Sequence, residues 1–146
     1  MARDEKLARL RAVPMFATLS KRELGLLLRQ ADELRYPARH QVVKEGTRGE
    51  EFWMVIEGEL AVQRGGREVA RLGPGEFFGE LAVIDTTTRD ATVVSKTPVD
   101  LLCIGQRSFW ALVEGSPTLM RKMMVGMARR LHEMDAKDSA AKAGKK

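Results

Sequence analysis

Glu80 lies within an apolar segment and Arg89 follows it closely, and the types and spacing of these two charged side chains suit the binding of one small ligand. Glu80 follows Gly79 inside the segment Phe77–Ile84, and Arg89 comes nine residues later. Charged groups are costly to bury unless something pairs with them. A guanidinium can make two parallel hydrogen bonds to a phosphate, and an ionised carboxylate accepts hydrogen bonds from a ribose hydroxyl. The pair therefore predicts a pocket for a ligand that carries both a phosphate and hydroxyl groups.

The backbone around Gly79 supports the same prediction. Glycine has no Cβ, so the chain can come close to a ligand there. A short helical turn from Glu80 to Ile84 would also direct its free N–H groups toward the anion. A plain structural ion pair between Glu80 and Arg89 is the alternative interpretation.

These residues resemble the phosphate-binding cassette of the cyclic nucleotide-binding domain family, of the catabolite activator protein and protein kinase A regulatory subunit type. The family pattern is close to F-G-E-L-A followed by R-x-A-T. This chain has Phe78-Gly79-Glu80-Leu81-Ala82 and then Arg89-Asp90-Ala91-Thr92. The likeness covers roughly residues 10–135 and includes further turn glycines and a core aromatic residue. Those positions are Gly46, Trp53, Gly58 and Gly75.

The resemblance implies a role for each cassette residue. Glu80 would hold the ribose 2′-hydroxyl, Arg89 would hold the cyclic phosphate, and the amides of Gly79, Leu81 and Ala82 would complete the phosphate site. The ligand would be cAMP first and cGMP second, with no separate cofactor. The predicted ligand-binding residues are Phe78, Gly79, Glu80, Leu81, Ala82, Arg89, Asp90 and Ala91.

Asp90 departs from the family pattern, which often has Ala, Ser or Thr after the arginine. An aspartate there could repel the phosphate and weaken binding. It could instead accept hydrogen bonds from the guanine amino group and favour cGMP, or it could point to solvent and do neither.

The C-terminal helix usually covers the purine in this family. Between Thr118 and Ser139 this chain has no serine or threonine to bond the base. Arg129 or Arg130 could instead stack on the base or bond its edge. The alternative is that both arginines are simply solvated.

A methionine-rich stripe runs along the same predicted helix, which begins near Pro117, a favoured first-turn residue. Its apolar residues recur at spacings of four and three, which is a heptad pattern suited to a partner helix. The alternative is that this face packs on its own domain. The stripe consists of Met120, Met124, Met127, Leu131 and Met134.

The rest of the chain predicts a mainly β fold with flanking helices. Short runs rich in Val, Ile and Leu alternate with glycine turns from about residue 35 to 105, which is typical of a small antiparallel barrel or roll. The predicted architecture is an eight-stranded antiparallel β-roll, a double-stranded jelly-roll-like barrel, with N-terminal helices and a long C-terminal helix. The predicted strands are Gln41–Lys44, Phe52–Ile56, Glu59–Arg64, Glu68–Leu72, Ala91–Ser95 and Asp100–Ile104.

Several local signals give the predicted element boundaries. Residues 2–12 form a short amphipathic helix, and Ser20 with Glu23 makes a capping box for a second helix that ends at Tyr36-Pro37. Gly65-Gly66 predicts a tight hairpin. The segment 85–88 is predicted to be a loop, and residues 107–113 a short helix.

Charge and composition divide the chain in two. Residues 1–116 are electrically neutral, and residues 117–146 carry the whole net charge of +5. We expect residues 1–135 to form the domain and residues 136–146 to be a disordered basic tail. A basic tail can contact nucleic acid or an anionic membrane, although simple solvation is the more common outcome. The sequence has no signal-peptide or membrane-spanning pattern, so a cytoplasmic protein without a membrane partner is expected.

No catalytic or metal-binding set is evident. His40 and His132 lie far apart in sequence, and no serine has a histidine at a suggestive spacing. The chain is therefore predicted to be a stand-alone sensor that signals through its C-terminal helix to a homodimer partner or an effector protein. It is not expected to bind specific DNA sequences, because only about ten residues follow the last predicted helix and a helix-turn-helix module needs more. The alternative function is a degenerate domain that serves in protein interaction or dimerisation without nucleotide.

Overall fold

The architecture is that of an antiparallel β-roll flanked by helices, as the sequence predicted. The computed structural model describes residues 3–144, and all of their side chains except those of Leu81 and residues 137–144. Within this range ten strands form two four-stranded sheets and one two-stranded sheet. The strands are β1 (Asp32–Tyr36), β2 (Gln41–Val43), β3 (Arg48–Gly49), β4 (Glu51–Glu57), β5 (Leu60–Arg64), β6 (Arg67–Leu72), β7 (Phe77–Phe78), β8 (Thr87–Thr88), β9 (Thr92–Ser95) and β10 (Val99–Gly105).

The two large sheets differ from a closed barrel. The first has the order β1-β10-β4-β7 and the second β2-β9-β5-β6, with β3 and β8 as a separate pair. Each sheet keeps two open edges. The prediction of eight strands in a barrel is therefore corrected to ten short strands in three open sheets.

The helices lie at the two ends of the chain. The long ones are α1 (Arg3–Arg11), α2 (Lys21–Gln30), α3 (Gln106–Glu114) and α4 (Pro117–Gly144). Two short 3-10 helices span Pro14–Phe16 and Glu80–Val83, and the second is called the cassette helix below. The predicted capping box is present, since Ser20 Oγ accepts from the Glu23 amide at 3.2 Å and Glu23 Oε1 accepts from the Ser20 amide at 2.8 Å.

The prediction that the second helix ends at Tyr36-Pro37 is wrong. Helix α2 ends at Gln30, and residues 32–36 form strand β1, which pairs with β10. Leu34 lies at helical spacing from Leu27 and Ala31, so the local pattern favoured a helix. Leu34 and Tyr36 also alternate with charged residues in a period of two, and pairing with the apolar strand β10 decides between the two patterns.

Two apolar clusters fill the interior. One joins α1, α2, α3 and the start of α4 to the outer side of β4 and β10, and its fully buried members include Phe16, Phe52 and Ile104. The other lies within the roll around Trp53, Leu60 and Leu101. Because side chains alternate along a strand, β4 supplies Phe52 to the first cluster and Trp53 to the second.

Helix α4 packs against the N-terminal segment, and at Gly126 its backbone comes close to the backbone of Pro14 and Met15. A Cβ at this buried glycine would collide with the carbonyl oxygen of Pro14. Thr18 Oγ1 donates to the Lys122 carbonyl at 2.9 Å, and Lys122 Nζ lies 2.7 Å from Glu23 Oε1. The N-terminal helices and the first half of α4 therefore form one packed layer.

The second half of α4 extends beyond this layer, and side chains 131–136 are all exposed. The helix continues into the segment 136–146 that the composition assigned to a disordered tail, since alanine and lysine have high helix propensity. Residues 145 and 146 of that predicted tail lie outside the described residues. No helix between residues 3 and 144 combines the length and apolar character needed to cross a bilayer.

Candidate ligand-binding site

A cavity of about 480 Å³ opens between the second sheet and the segment that carries the cassette helix. Its lining combines apolar and charged side chains, which suits a ligand with an apolar ring and an anionic group. It is lined by Val43, Val62, Arg64, Phe78, Gly79, Glu80, Ala82, Thr87, Thr88, Arg89, Asp90, Ala91 and Val93. Of the eight predicted ligand-binding residues, the lining contains all except Leu81, whose side chain is not described.

Arg89 is a nearly buried cation in the wall of this cavity, with 9% of its surface exposed. Its Nη2 donates to the Glu51 carbonyl at 2.9 Å and lies 3.4 Å from Glu51 Oε2. Both recorded hydrogen bonds use Nη2, so Nη1 has no acceptor among the described residues. The guanidinium is thus held by one edge while other N–H groups remain for an anion.

Two glycines make the space that the Arg89 guanidinium occupies. A Cβ at Gly49 would overlap Nε and Cζ of Arg89, and a Cβ at Gly79 would lie 2.5 Å from its Nη1. Gly79 also has a φ of +78°, a conformation that other residues rarely adopt. Any side chain at either position would displace the arginine.

The backbone of Arg89 is fixed by the turn that precedes β3. The Arg89 amide donates to the Thr47 carbonyl at 2.7 Å, and the Gly46 amide donates to the Arg89 carbonyl at 2.9 Å. The adjacent pairing of β3 with β8 continues this ladder. The segment predicted to be a loop at residues 85–88 therefore contains strand β8.

Glu80 lies half-buried across the site. Burial raises the pKa of its carboxyl above the ordinary value of 4.5, and the positive charge of Arg130 on α4 opposes that rise. No ion pair to Glu80 is recorded among the described residues. A carboxylate with free acceptor positions in a partly dry site is well suited to a ligand hydroxyl.

The cassette helix begins at Glu80 and ends at Val83, close to the predicted turn. The Ala82 amide donates to the Gly79 carbonyl at 3.0 Å, so the turn itself uses one of the three amides predicted to bind the phosphate. Gln106, the first residue of α3, donates from Nε2 to the Ala82 carbonyl at 3.2 Å and accepts from Thr86 Oγ1 at 3.2 Å. The cassette helix is therefore anchored to α3.

Asp90 points outward at the cavity mouth. Its carboxylate is 83% exposed and lies 3.1 Å from Nη2 of Arg64, which is at the end of β5. Asp90 is therefore paired with a cation instead of facing the site alone.

The two arginines predicted to cover the base are placed differently. Arg130 is partly buried, and its positive charge opposes the rise in the pKa of Glu80. Arg129 is exposed and lines surface grooves with Thr18, Arg121 and Val125 instead of the cavity. Of the two arginines, Arg130 is the one whose charge acts on a residue of the cavity.

The methionine stripe is divided along α4. Met120 and Met127 pack against the helical core cluster, whereas Met124, Leu131 and Met134 are exposed by 65%, 62% and 48%. Part of the stripe therefore packs on its own domain, at Met120 and Met127, and a partner helix for the exposed members stays a prediction.

Comparison with known proteins decides the family. The sequence model described as the cyclic nucleotide-binding domain matches residues 33–116, a range that contains every residue lining the cavity. The chain belongs to the cyclic nucleotide-binding domain family. The resemblance noted in the cassette sequence is thereby confirmed.

Relatives within this family cover most of the chain. The cyclic AMP receptor protein of Thermus thermophilus is 32% identical over 127 residues, which is 84% of this chain and 59% of that protein. The N-terminal domain of a transcriptional regulator from Streptomyces coelicolor A3(2) superposes with a TM-score of 0.81 at 28% identity, covering 88% of this chain and 94% of that one. This chain spans less than two thirds of the curated relatives it matches.

A third relative has been solved with a ligand. The regulatory domain of Toxoplasma gondii protein kinase A, in complex with cAMP, superposes with a TM-score of 0.69 at 31% identity. The superposition covers 91% of this chain and 52% of that one. The names of these relatives describe a cyclic AMP receptor, a transcriptional regulator and a kinase regulatory domain.

The cyclic nucleotide-binding domain of this chain contains four site residues that sequence reasoning missed. Gly49 and Glu51 shape and hold the Arg89 guanidinium, Gln106 anchors the cassette helix, and Arg64 pairs with Asp90. Gly49 offered a signal, because a glycine just before an apolar strand often marks a close approach. The other three are ordinary polar residues far from the cassette in sequence.

The described residues contain no group of three or more His, Cys, Asp or Glu side chains arranged to hold a metal ion. Cys103 is buried in strand β10, where burial raises the pKa of its thiol to about 12. It packs as a small apolar side chain in the interior of the roll.

Proposed function

We propose that this chain binds a cyclic nucleotide, cAMP first and cGMP second, and acts as a sensor rather than an enzyme. The single observation that carries the proposal is Arg89, an almost buried cation whose free N–H groups line a cavity of suitable size. A buried charge without a full partner is unfavourable, and a phosphate would supply that partner. Glu80 lies on the same cavity and can accept a hydroxyl group.

The ligand would then bridge two segments that line the site. Its phosphate would bind Arg89, which is held by β3 and β4, and its ribose would bind Glu80 on the cassette helix. Gln106 connects the cassette helix to α3 through a hydrogen bond, and Arg130 of α4 carries a charge that opposes the rise in the pKa of Glu80. A ligand that binds better when these elements close together shifts the equilibrium toward the closed arrangement.

The proposed output is a change at the exposed part of α4. Met124, Leu131 and Met134 are exposed apolar side chains on α4, and such a surface suits a second copy of the chain or an effector protein. A cytoplasmic location and the lack of sequence-specific DNA binding stay predictions.

The test is calorimetric titration of cAMP and of cGMP into the wild-type protein and two variants. Arg89→Ala removes the cation, and Gly49→Ala introduces a Cβ where the guanidinium lies. We expect micromolar or tighter binding by the wild type and its loss in both variants. Removing a charge-assisted bidentate contact alone costs roughly 2–3 kcal/mol, or about 30- to 150-fold in affinity.

Gly105→Ala is the matched control, because a Cβ there meets open space and the φ of −79° is ordinary for alanine. It should bind like the wild type. Absence of heat with either nucleotide, on folded protein free of copurified ligand, would refute the proposal. The exposed apolar part of α4 would then favour the alternative, an interaction module without nucleotide.

A further inference from the structure

An exposed ion pair spans the mouth of the cavity. Arg64 and Asp90 lie 3.1 Å apart, with side chains 59% and 83% exposed, and both line the cavity together with Arg89. Exposed ion pairs contribute little to stability, typically about 0–1 kcal/mol. Folding alone therefore does not account for an aspartate placed directly after the anion-binding arginine.

Further contacts place a second carboxylate close to this rim. Oε1 of Glu45 accepts a hydrogen bond from the Gly65 amide at 3.2 Å, and the Glu45 amide donates to Thr92 Oγ1 at 2.9 Å. The tip of the β5–β6 hairpin is thus tied to the turn beside Asp90. Two carboxylates, those of Glu45 and Asp90, lie near the entrance. Arg64 is the only ion-pair partner recorded for Asp90 among the described residues.

We propose that Arg64 is a positioning residue that neutralises Asp90 and so sets the affinity of this site for an anionic ligand. The inference rests on the proposed function. An unpaired Asp90 carboxylate beside Arg89 would repel an entering phosphate. Pairing with Arg64 draws the carboxylate toward the hairpin and cancels its charge. Arg64 thereby acts on the ligand through Asp90. A neutral residue at position 90 would not repel the phosphate, and the pairing with Arg64 reduces that repulsion for the aspartate of this chain.

The experiment is a double-mutant cycle on the full chain, read by calorimetry with cAMP and with cGMP at low salt. Arg64→Gln should weaken binding about fivefold, the effect of one unit charge a few ångströms away in a water-like medium. Asp90→Asn should bind as well as the wild type or better. In the Asp90→Asn background, Arg64→Gln should change affinity by less than about twofold, because its target is gone.

Three controls separate charge from structure. Arg64→Lys keeps the charge and should retain most of the affinity. Arg67→Gln makes the same charge change on the same hairpin, at an exposed residue with no recorded ion pair among the described residues, and should have no effect. The loss in Arg64→Gln should shrink as salt rises, whereas the melting temperature should stay unchanged.

Each outcome decides the matter. An equal loss in both backgrounds would overturn the inference and show that Arg64 contacts the ligand directly. If Arg64→Gln lost no nucleotide affinity, the pair of Arg64 and Asp90 would be an ordinary surface contact and the inference would be wrong. If the wild type binds a nucleotide and the cycle shows no coupling, this inference alone fails. If the wild type binds neither nucleotide, the proposed function fails with it.

Discussion

At the scale of single residues, the site depends on two charged side chains that are shielded from water to different degrees. Arg89 is buried against the Glu51 carbonyl in a space made by Gly49 and Gly79. Glu80 is half-buried and has no recorded ion pair among the described residues. The carboxyl, unlike a guanidinium, can change its protonation state within the accessible pH range. Ligand affinity should therefore depend on pH through Glu80.

The direction of that dependence follows from the raised pKa of Glu80. A protonated carboxyl is a poorer acceptor for the ribose hydroxyl, so nucleotide affinity should fall as the pH is lowered through the raised pKa and level off above it. Calorimetry between about pH 8 and pH 5 measures this. Glu80→Gln should bind more weakly and show no such slope. An equally steep slope in Glu80→Gln would assign the titration to another group.

The same carboxyl has an opposite effect on stability. Because its folded pKa is raised, the folded state retains a proton that the unfolded state has lost. Stability therefore decreases as the pH rises from the unfolded pKa through the folded one. Removing the charge in Glu80→Gln should accordingly raise the melting temperature of the ligand-free protein near pH 8. The Glu80 carboxylate therefore lowers the stability of the folded protein while providing a hydrogen-bond acceptor for the ligand.

At the scale of elements, the position of α4 is determined by contacts near its first half. Gly126 lets α4 approach the Pro14–Phe16 helix at backbone distance, and Lys122 pairs with Glu23 of α2. The cassette helix reaches the same layer through Gln106 of α3. Movement of α4 therefore requires movement of the N-terminal helices or a break at this contact.

Gly126→Ala tests this contact. Alanine should add about 1 kcal/mol of helix propensity, but its Cβ would collide with the Pro14 carbonyl, and overpacking of this kind costs roughly 1–3 kcal/mol. We expect a net loss of stability in urea unfolding and a displaced α4. Gly115→Ala is the control, since its Cβ would meet neighbours no nearer than 3.6 Å. A Gly126→Ala protein more stable than wild type would show that α4 is not held at this point.

At the scale of the whole molecule, the exposed apolar side chains of α4 point to association. The stripe continues past the region that the domain covers, so Leu131 and Met134 have no described core residue against them. A helix with a heptad pattern gains stability by burying such a stripe in a partner. Self-association through this segment is the partner interaction that the proposed function puts first.

A pair of substitutions, Leu131→Glu with Met134→Glu, should shift the protein toward monomer in sedimentation experiments, because it places charges on the stripe. His132→Glu is the matched control, since it adds a carboxylate to the same exposed segment on a different face of the helix. Nucleotide affinity per chain should persist in the double variant if the cavity is complete in one copy. A wild-type protein that is monomeric at high concentration, with and without nucleotide, would direct the search to a separate effector.

Local patterns in the sequence were sufficient for much of this picture. The capping box, the Gly65-Gly66 hairpin and the cassette motif each depend on residues close together in the chain, so their chemistry is complete within a short segment. The family, the β-roll and the two charged site residues followed from those segments. The six predicted strands also lie within two residues of observed ones.

What only the tertiary structure decided involves contacts between distant segments. Residues 32–36 fit both a helical and a strand pattern, and pairing with β10 selected the strand. The space for Arg89 depends on Gly49, forty residues earlier, and the charge of Asp90 is paired with that of Arg64 at the end of β5. The spacing of apolar residues along α4 could not show which of them pack on the domain and which are exposed. Sequence determines which groups are available, but burial and charge pairing depend on which surfaces folding brings together.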